Sequence, residues 1–180
     1  NTFEGGAIIC HTEEMYKKIN QLKNFGIISE TEAVAVGSNG KMNEVSAAFG
    51  LLQLRYIDDA IEKRRVLDNR YRKELSDVKG VYCLPFLSSA TSSYSYFPVL
   101  ITEEYSLTRD ELYQKLKENN IFARRYFYPL ISDFEMYKDL PSSSKENLPV
   151  AKKASDQVLC LPIYAALEES DQQRIIEVIL

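Results

Sequence analysis

The chain is 180 residues long, with 45% apolar and 27% charged residues and a formal net charge of −4. That is enough for one domain with a genuine core and parts of a second, in the composition of an ordinary soluble protein. The acidic balance leaves no surplus of cations to neutralise phosphates, which argues against a general nucleic-acid binder.

The chain opens Asn1-Thr2-Phe3-Glu4-Gly5-Gly6 and enters a short apolar strand, "GGAIIC", through a glycine pair. An amphipathic helix follows, with Thr12 as N-cap, Met15, Ile19 and Leu22 on one face and Gly26 as its stop. Residues 27–41 show no period and carry Gly37, Ser38, Asn39 and Gly40, so they read as a loop. Residues 43–75 contain no proline and read as one helix capped by Asn43, about 50 Å long at 1.5 Å per residue. Its first half is apolar on most sides (Val45, Ala48, Phe49, Leu52) and its second half keeps only a stripe (Ile57, Ile61, Leu67, Tyr71). A helix that changes character halfway suits a connection between two bodies. A domain boundary is therefore expected along it.

Beyond Gly80 the pattern becomes α+β. "VYCLP" and "SYSYFPVLI" read as strands joined by a serine-rich loop at residues 88–93. Thr108 and Glu111 form a capping box ahead of the helix "LTRDELYQKLKENN". "IFARRYFYPL" reads as a strand ended by Pro129, and residues 132–147 as irregular with a short helix near Phe134 and Lys138. "LPVAKKASDQVLCLPI" reads as a helix running into an extended stretch, and "LEESDQQRIIEVIL" as a closing amphipathic helix. No apolar run approaches the roughly 20 residues that span a bilayer, and no signal peptide is legible ahead of the first strand. Cys10, Cys83 and Cys160 are odd in number, far apart and flanked by apolar residues. They read as buried thiols in a reducing cytoplasm. A zinc site would want paired ligands, and His11 is the sole histidine. None of these pieces alone carries a reaction: no Ser/His/Asp set, phosphate-cradling loop, diagnostic carboxylate pair or metal cluster is present.

Five blocks taken in order say more. "NTFEGGAIIC", "LKNFGI", "GSNGKMNEVSAAFGLLQL", "ARRYFYPL" and "LPVAKKASDQVLCLPIY" together resemble the C-terminal portion of the DegT/DnrJ/EryC1/StrS sugar aminotransferases, which use pyridoxal 5'-phosphate (PLP). The wording is closest to members acting on dTDP-linked keto-6-deoxyhexoses. The resemblance implies an α/β chain that forms the C-terminal part of a type I PLP aminotransferase fold. Residues 1–54 would end the large cofactor domain, 55–78 would form the connecting helix, and 79–180 would form the small α+β domain. It further implies a cytoplasmic homodimer, without nucleic-acid or membrane partners, acting on a sugar nucleotide with an amino donor such as L-glutamate.

In the family, "FEGG" closely follows the lysine that forms the Schiff base with the cofactor, in a pattern like H-x-x-K-x-x-N-T-F-E-G-G. By that pattern the lysine falls a few residues ahead of Asn1 and the aspartate facing the pyridinium nitrogen further upstream. Residues 1–180 alone are then expected to be inactive and to hold no catalytic residue. Two other readings stay open at this stage. One is a non-catalytic dimerisation or sugar-nucleotide-binding remnant, and the other is a family dehydratase with histidine at the lysine's position.

Asn39 matches the asparagine that the family contributes across the dimer to the partner subunit's PLP phosphate. A neutral amide in a glycine-flanked loop just before a helix suits that task, although Asn39-Gly40 also reads as a plain turn. Lys41 comes with the motif, either as a further charge near phosphate or as a solvated lysine. Strand alternation would put Arg124, Tyr126 and Tyr128 on one face, where arginine could match a pyrophosphate bidentately. Paired arginines such as Arg124 and Arg125 are also common on solvated edges. Tyr94 and Tyr96 alternate on the preceding strand and could line the same sugar-nucleotide site or simply fill the core. Leu130 and Ile131 follow Pro129 where other branches of the family carry a histidine, so that contact is not carried over.

Overall fold

The computed structural model describes residues 1–87 and 89–180. The chain divides into two units, Asn1–Asp58 and Asp59–Leu180.

In the first unit, Thr12 caps α1 (Glu13–Leu22) by accepting the Met15 N–H at 3.1 Å. The helix stops at Lys23, earlier than Gly26 suggested. Phe25 and Gly26 then take left-handed backbone (φ 61° and 75°). Glycine is required at 26, because a Cβ there would stand 1.8 Å from the Ala35 carbonyl oxygen. The expected loop at 27–41 contains a small antiparallel hairpin, β1 (Ile27–Ser29) with β2 (Glu32–Ala33). The expected opening strand is absent from the described residues. Among the described residues "GGAIIC" makes no backbone-to-backbone hydrogen bond, and Ile9 stands 82% exposed.

The long run of 43–75 is two helices rather than one. α2 (Glu44–Leu54) is capped by the Asn43 side chain, which accepts the Ser46 N–H at 2.8 Å. It closes through Arg55 and Tyr56, whose N–H groups reach back to Leu52 and Gln53. α3 (Ile57–Leu75) then starts afresh. A proline-free run permits a continuous helix but does not compel one. Tightening the last turn with shorter bonds is a common way to satisfy helix-end groups.

The second unit is built on an antiparallel sheet, β3 (Val81–Cys83), β4 (Phe97–Ile101) and β5 (Val158–Leu161), with β4 in the middle. Along β4 the residues Phe97, Val99 and Ile101 are buried while Pro98 and Leu100 are half-buried. This is the alternation of a sheet covered chiefly on one face. The cover comes from Leu67, Tyr71 and Leu75 of α3, Leu112 and Leu116 of α4 (Arg109–Glu118), and Ile175, Ile176 and Ile179 of α6 (Glu169–Ile179). Buried polar groups are satisfied: the Tyr71 hydroxyl donates to the Pro162 carbonyl at 3.0 Å and the Gln172 amide to the Leu67 carbonyl at 2.7 Å. The capping box at Thr108 and Glu111 forms as expected, with Glu111 accepting from the Thr108 N–H at 2.7 Å. α5 (Pro149–Gln157) runs directly into β5, as the sequence suggests.

Three strand expectations are corrected. "VYCLP" pairs only over Val81–Cys83. The second strand begins at Phe97, so Tyr94 and Tyr96 precede it; Tyr94 is left-handed (φ 51°), which no strand residue can be. "IFARRYFYPL" meets the sheet at one point, Arg124 against Cys160, and then turns, with the Tyr128 N–H donating to the Arg125 carbonyl. Residues 131–147 are short 3₁₀ turns, at Ile131–Asp133, Pro141–Ser143 and Lys145–Asn147, with a turn rather than a helix near Phe134. Of the serine-rich loop, Ser88 lies outside the described residues.

No helix among the described residues is long and apolar enough to cross a membrane. No group of His, Cys, Asp or Glu among them could hold a metal ion. All three cysteines are free. Burial pushes the Cys160 thiol up to about 11 and raises that of Cys83, so both stay protonated near neutrality.

Candidate functional site

The predicted site residues divide between the two units, Asn39 in the first and the rest in the second. In the first, Asn39 sits in a loop tethered to the end of α1. The terminal carbonyls of a helix lack intrahelical partners, and here those of Leu22 and Lys23 accept the Ser38 and Gly40 N–H groups at 2.9 and 2.8 Å. The approach is so close that a Cβ at Gly37 would stand 2.4 Å from the Gly26 nitrogen. The loop backbone is thus pinned on either side of Asn39, whose exposed carboxamide has no hydrogen-bond partner among the described residues. A fixed backbone carrying an unspent donor fits a phosphate oxygen. Lys41 is less free: its ammonium donates to the Asn24 side chain at 2.8 Å and lies 5.1 Å from the Phe25 ring. Glu44 in the first turn of α2 opposes an anion at that helix end. Of the groups around this loop, the Asn39 amide rather than the helix terminus is the uncommitted donor among the described residues.

In the second unit the structure splits the expected row of Arg124, Tyr126 and Tyr128. Tyr126 stacks on Tyr96 with ring centroids 4.6 Å apart, and its hydroxyl donates to the Tyr96 hydroxyl at 3.1 Å. That hydrogen bond holds the Tyr126 phenol above its ordinary range. Phe127 continues the stack at 3.9 Å, and the Arg124 guanidinium lies 5.7 Å from the Tyr126 ring. Arg124 is exposed and has no carboxylate or hydrogen-bond partner for its side chain among the described residues. Its backbone is fixed by mutual bonds with Cys160 at 3.0 and 2.8 Å. Tyr94 stands apart from this pair, its ring edge-to-face with Phe86 at 5.5 Å.

Tyr128 belongs to a different environment. Its ring is flanked by the cations of Arg109 at 4.5 Å, Arg125 at 5.3 Å and Lys152 at 5.9 Å. Arg125 is spoken for: it pairs with Asp110 at 3.1 Å and lies over Tyr113 at 4.6 Å. Partial burial works against ionisation of Asp110. Hydrogen bonds from Arg125 and Arg109 nonetheless hold its carboxyl below the usual range. Adjacent arginines in the sequence therefore differ in kind, Arg125 neutralised and Arg124 available.

Sequence reasoning missed Arg109. It is 4% exposed and donates to the carbonyls of Ser155 and Val158 at 2.7 and 3.0 Å, fixing the α5–β5 junction beside Tyr128. Those partners are carbonyls 46 and 49 residues away, so no local signal marks it. A groove of about 750 Å³ takes in Arg109 and Lys152 but not Arg124 or Tyr126.

Comparison with known proteins places this chain. Residues 1–180 match the DegT/DnrJ/EryC1/StrS aminotransferase family throughout, and the chain belongs to that family. It is 47% identical over 178 residues to a dTDP-4-amino-4,6-dideoxy-D-glucose transaminase of Escherichia coli, covering 99% of this chain and 48% of that one. It is 45% identical over 179 residues to the transaminase of the same name from Shigella dysenteriae, again over 99% and 48%. Among solved structures, DesI in the presence of its TDP-sugar product superposes with a TM-score of 0.88 at 30% identity, covering 99% of this chain and 45% of that one. The fold is that of part of a PLP aminotransferase of this family, and the chain spans about half the length of the relatives it matches.

Proposed function

We propose that this chain is the C-terminal part of a PLP-dependent aminotransferase. It transfers an amino group, from L-glutamate, to a dTDP-linked keto-6-deoxyhexose, with the 4-keto sugar favoured over the 3-keto sugar. The observation that carries this reading is the 47% identity, over nearly all of this chain, to a transaminase named for a dTDP-4-amino-4,6-dideoxy sugar. Residues 1–54 are read as the end of the large domain, 55–78 as the connecting helix and 79–180 as the small domain of a cytoplasmic homodimer.

Bound PLP supplies the electron sink that carries charge away from the carbon gaining or losing the amino group. The chain's own residues bind and orient. Asn39 donates to the phosphate of the partner subunit's cofactor. Arg124, whose side chain has no carboxylate or hydrogen-bond partner among the described residues, pairs with the pyrophosphate of the sugar nucleotide. The linked hydroxyls of Tyr96 and Tyr126 offer a donor and acceptor oxygens to the same substrate. Tyr128 and Tyr94 line the surround, Tyr128 held among cations and Tyr94 against Phe86. Residues 1–180 expressed alone are proposed to give no turnover, because the family's lysine matches no position among them.

The test is to incubate the full-length protein carrying this chain with PLP, L-glutamate and dTDP-4-keto-6-deoxy-D-glucose, and to follow 2-oxoglutarate and the mass of the aminated sugar nucleotide. Both products are expected. Glutamate left unconsumed with both the 4-keto and the 3-keto sugar would sink the proposal.

A further inference from the structure

Arg64, Asp68 and Arg72 follow one another at intervals of four on α3 and so form a ridge along one side of the helix. The ridge grips a non-helical segment at two points. Arg64 donates through Nε and Nη2 to the Ser93 carbonyl at 3.1 and 2.8 Å. Arg72 donates through Nη1 to the Leu84 carbonyl at 2.7 Å, while its Nε is held by Asp68 at 2.6 Å. Asp68 is only 2% exposed, so the carboxylate that orients Arg72 is itself fixed by burial. The Arg72 guanidinium lies 4.1 Å from the Phe86 ring, and Phe86 in turn meets Tyr94 edge-to-face. Tyr94 follows Ser93 directly and holds a left-handed backbone (φ 51°) that a tyrosine adopts only where its surroundings enforce it. Two residues later the chain delivers Tyr96 to Tyr126.

We propose that Arg64 and Arg72 are positioning residues: from α3 they clasp the backbone at Ser93 and Leu84 and so present Tyr94 and Tyr96 to the sugar nucleotide. This rests on the reading of the Tyr96, Tyr126 and Arg124 cluster as the sugar-nucleotide site. Guanidinium forks suit the task, because one planar group can satisfy a carbonyl bidentately or split its donors between a carboxylate and a carbonyl. Neither arginine touches the substrate itself.

The test uses the full-length protein with thymidine 5'-diphosphate as probe. Arg64→Gln removes one grip and leaves the Asp68–Arg72 pair intact. Arg72→Gln alone would strand a buried carboxylate, so the other grip is removed with the double variant Asp68→Asn/Arg72→Gln. Each is expected to speed amide hydrogen exchange at residues 93–96 and to weaken dTDP binding roughly 3- to 10-fold, the loss of about one positioned hydrogen bond. Arg64→Gln should leave the melting temperature unchanged, and Arg64→Lys, which keeps one donor, should recover part of the affinity. Unchanged exchange at 93–96 in both variants overturns the clasp. Faster exchange with undiminished dTDP affinity overturns its positioning role. If the unaltered protein binds no dTDP, the sugar-nucleotide reading falls instead, and the exchange data alone decide whether the clasp stands.

Discussion

The two units of this chain use apolar residues in opposite ways. In Asp59–Leu180, apolar periodicity ends in burial: Tyr71, Phe97, Leu112, Leu159 and Ile176 form one continuous core. In Asn1–Asp58 only Gly26 and Ser46 are buried among the described residues. Val36 is 98% exposed, and Leu51 and Leu54 of α2 stand open although that helix is apolar on most sides. The difference teaches that local signals suffice to form a capped helix, while stability comes from what covers its apolar face. α1 and α2 have correct caps and no core.

The largest predicted effect tests this contrast directly. Leu112→Ala, which empties a fully buried position under the sheet, should cost about 2–5 kcal/mol in urea unfolding of the 180-residue chain. Leu51→Ala should change stability by no more than about 0.5 kcal/mol, as exposed substitutions do. Equal losses at the two sites would break the comparison, because they would mean that the first unit's apolar face is covered.

The second contrast is between neighbours within one unit. Arg124→Ala removes a cation with no carboxylate or hydrogen-bond partner among the described residues, and dTDP-sugar binding should weaken by about 1.5–3 kcal/mol, the value of a charged hydrogen bond. Arg125→Ala removes one already committed to Asp110, and its effect on affinity should be several-fold smaller. Isothermal titration of the two variants decides between them. The reverse order would transfer the anion contact to Arg125 and Tyr128.

These neighbours also show what the sequence made legible. The capping box at Thr108, the α5–β5 junction and α6 were read correctly, because their signals lie within a few residues of the structure they produce. The alternation in "SYSYFPV" and "ARRYFYP" looked equally local, yet a strand needs a partner along its whole length. Of "ARRYFYP" only Arg124 pairs, with Cys160, and the left-handed Tyr94 breaks the alternation before β4 begins. Arg124 and Tyr126 did come together, but through a turn and a stack rather than a pleat. The family resemblance rested on blocks of identity and so survived these errors of geometry. Arg109 had no comparable signal, since the carbonyls it holds lie 46 and 49 residues along the chain.

A smaller effect concerns pH, where two carboxylates of the second unit pull in opposite directions. Burial raises the Asp68 carboxyl above its ordinary value, with the Arg72 partner only partly offsetting it. Its contribution is therefore fully present below the unfolded value, near 3.8, and is lost as pH rises through the folded one. Asp110 is lowered, so its contribution is present above the unfolded value and is lost as pH falls through the folded one. Asp68→Asn should remove the falling slope just above pH 4 and leave the acid limb, and Asp110→Asn should do the reverse. Stability curves from pH 2 to 7 would show both, and identical changes in the two variants would contradict the assignment.

The smallest predicted effect returns to the first unit, where function cannot be inferred from packing because there is so little of it. The Asn39 side chain makes no bond among the described residues, so Asn39→Ala should leave unfolding of the 180-residue chain unchanged within about 0.5 kcal/mol. In the full-length protein the same substitution should loosen PLP by about 0.5–1.5 kcal/mol, one hydrogen bond to a phosphate oxygen. Asn39→Asp should loosen it further, since a carboxylate repels the phosphate at the same distance. Cofactor release followed by absorbance separates the two. Looser PLP in Asn39→Ala, with unfolding of the cofactor-free full-length protein unchanged, would assign Asn39 to the phosphate. Unchanged retention in both variants would return Asn39-Gly40 to a plain turn.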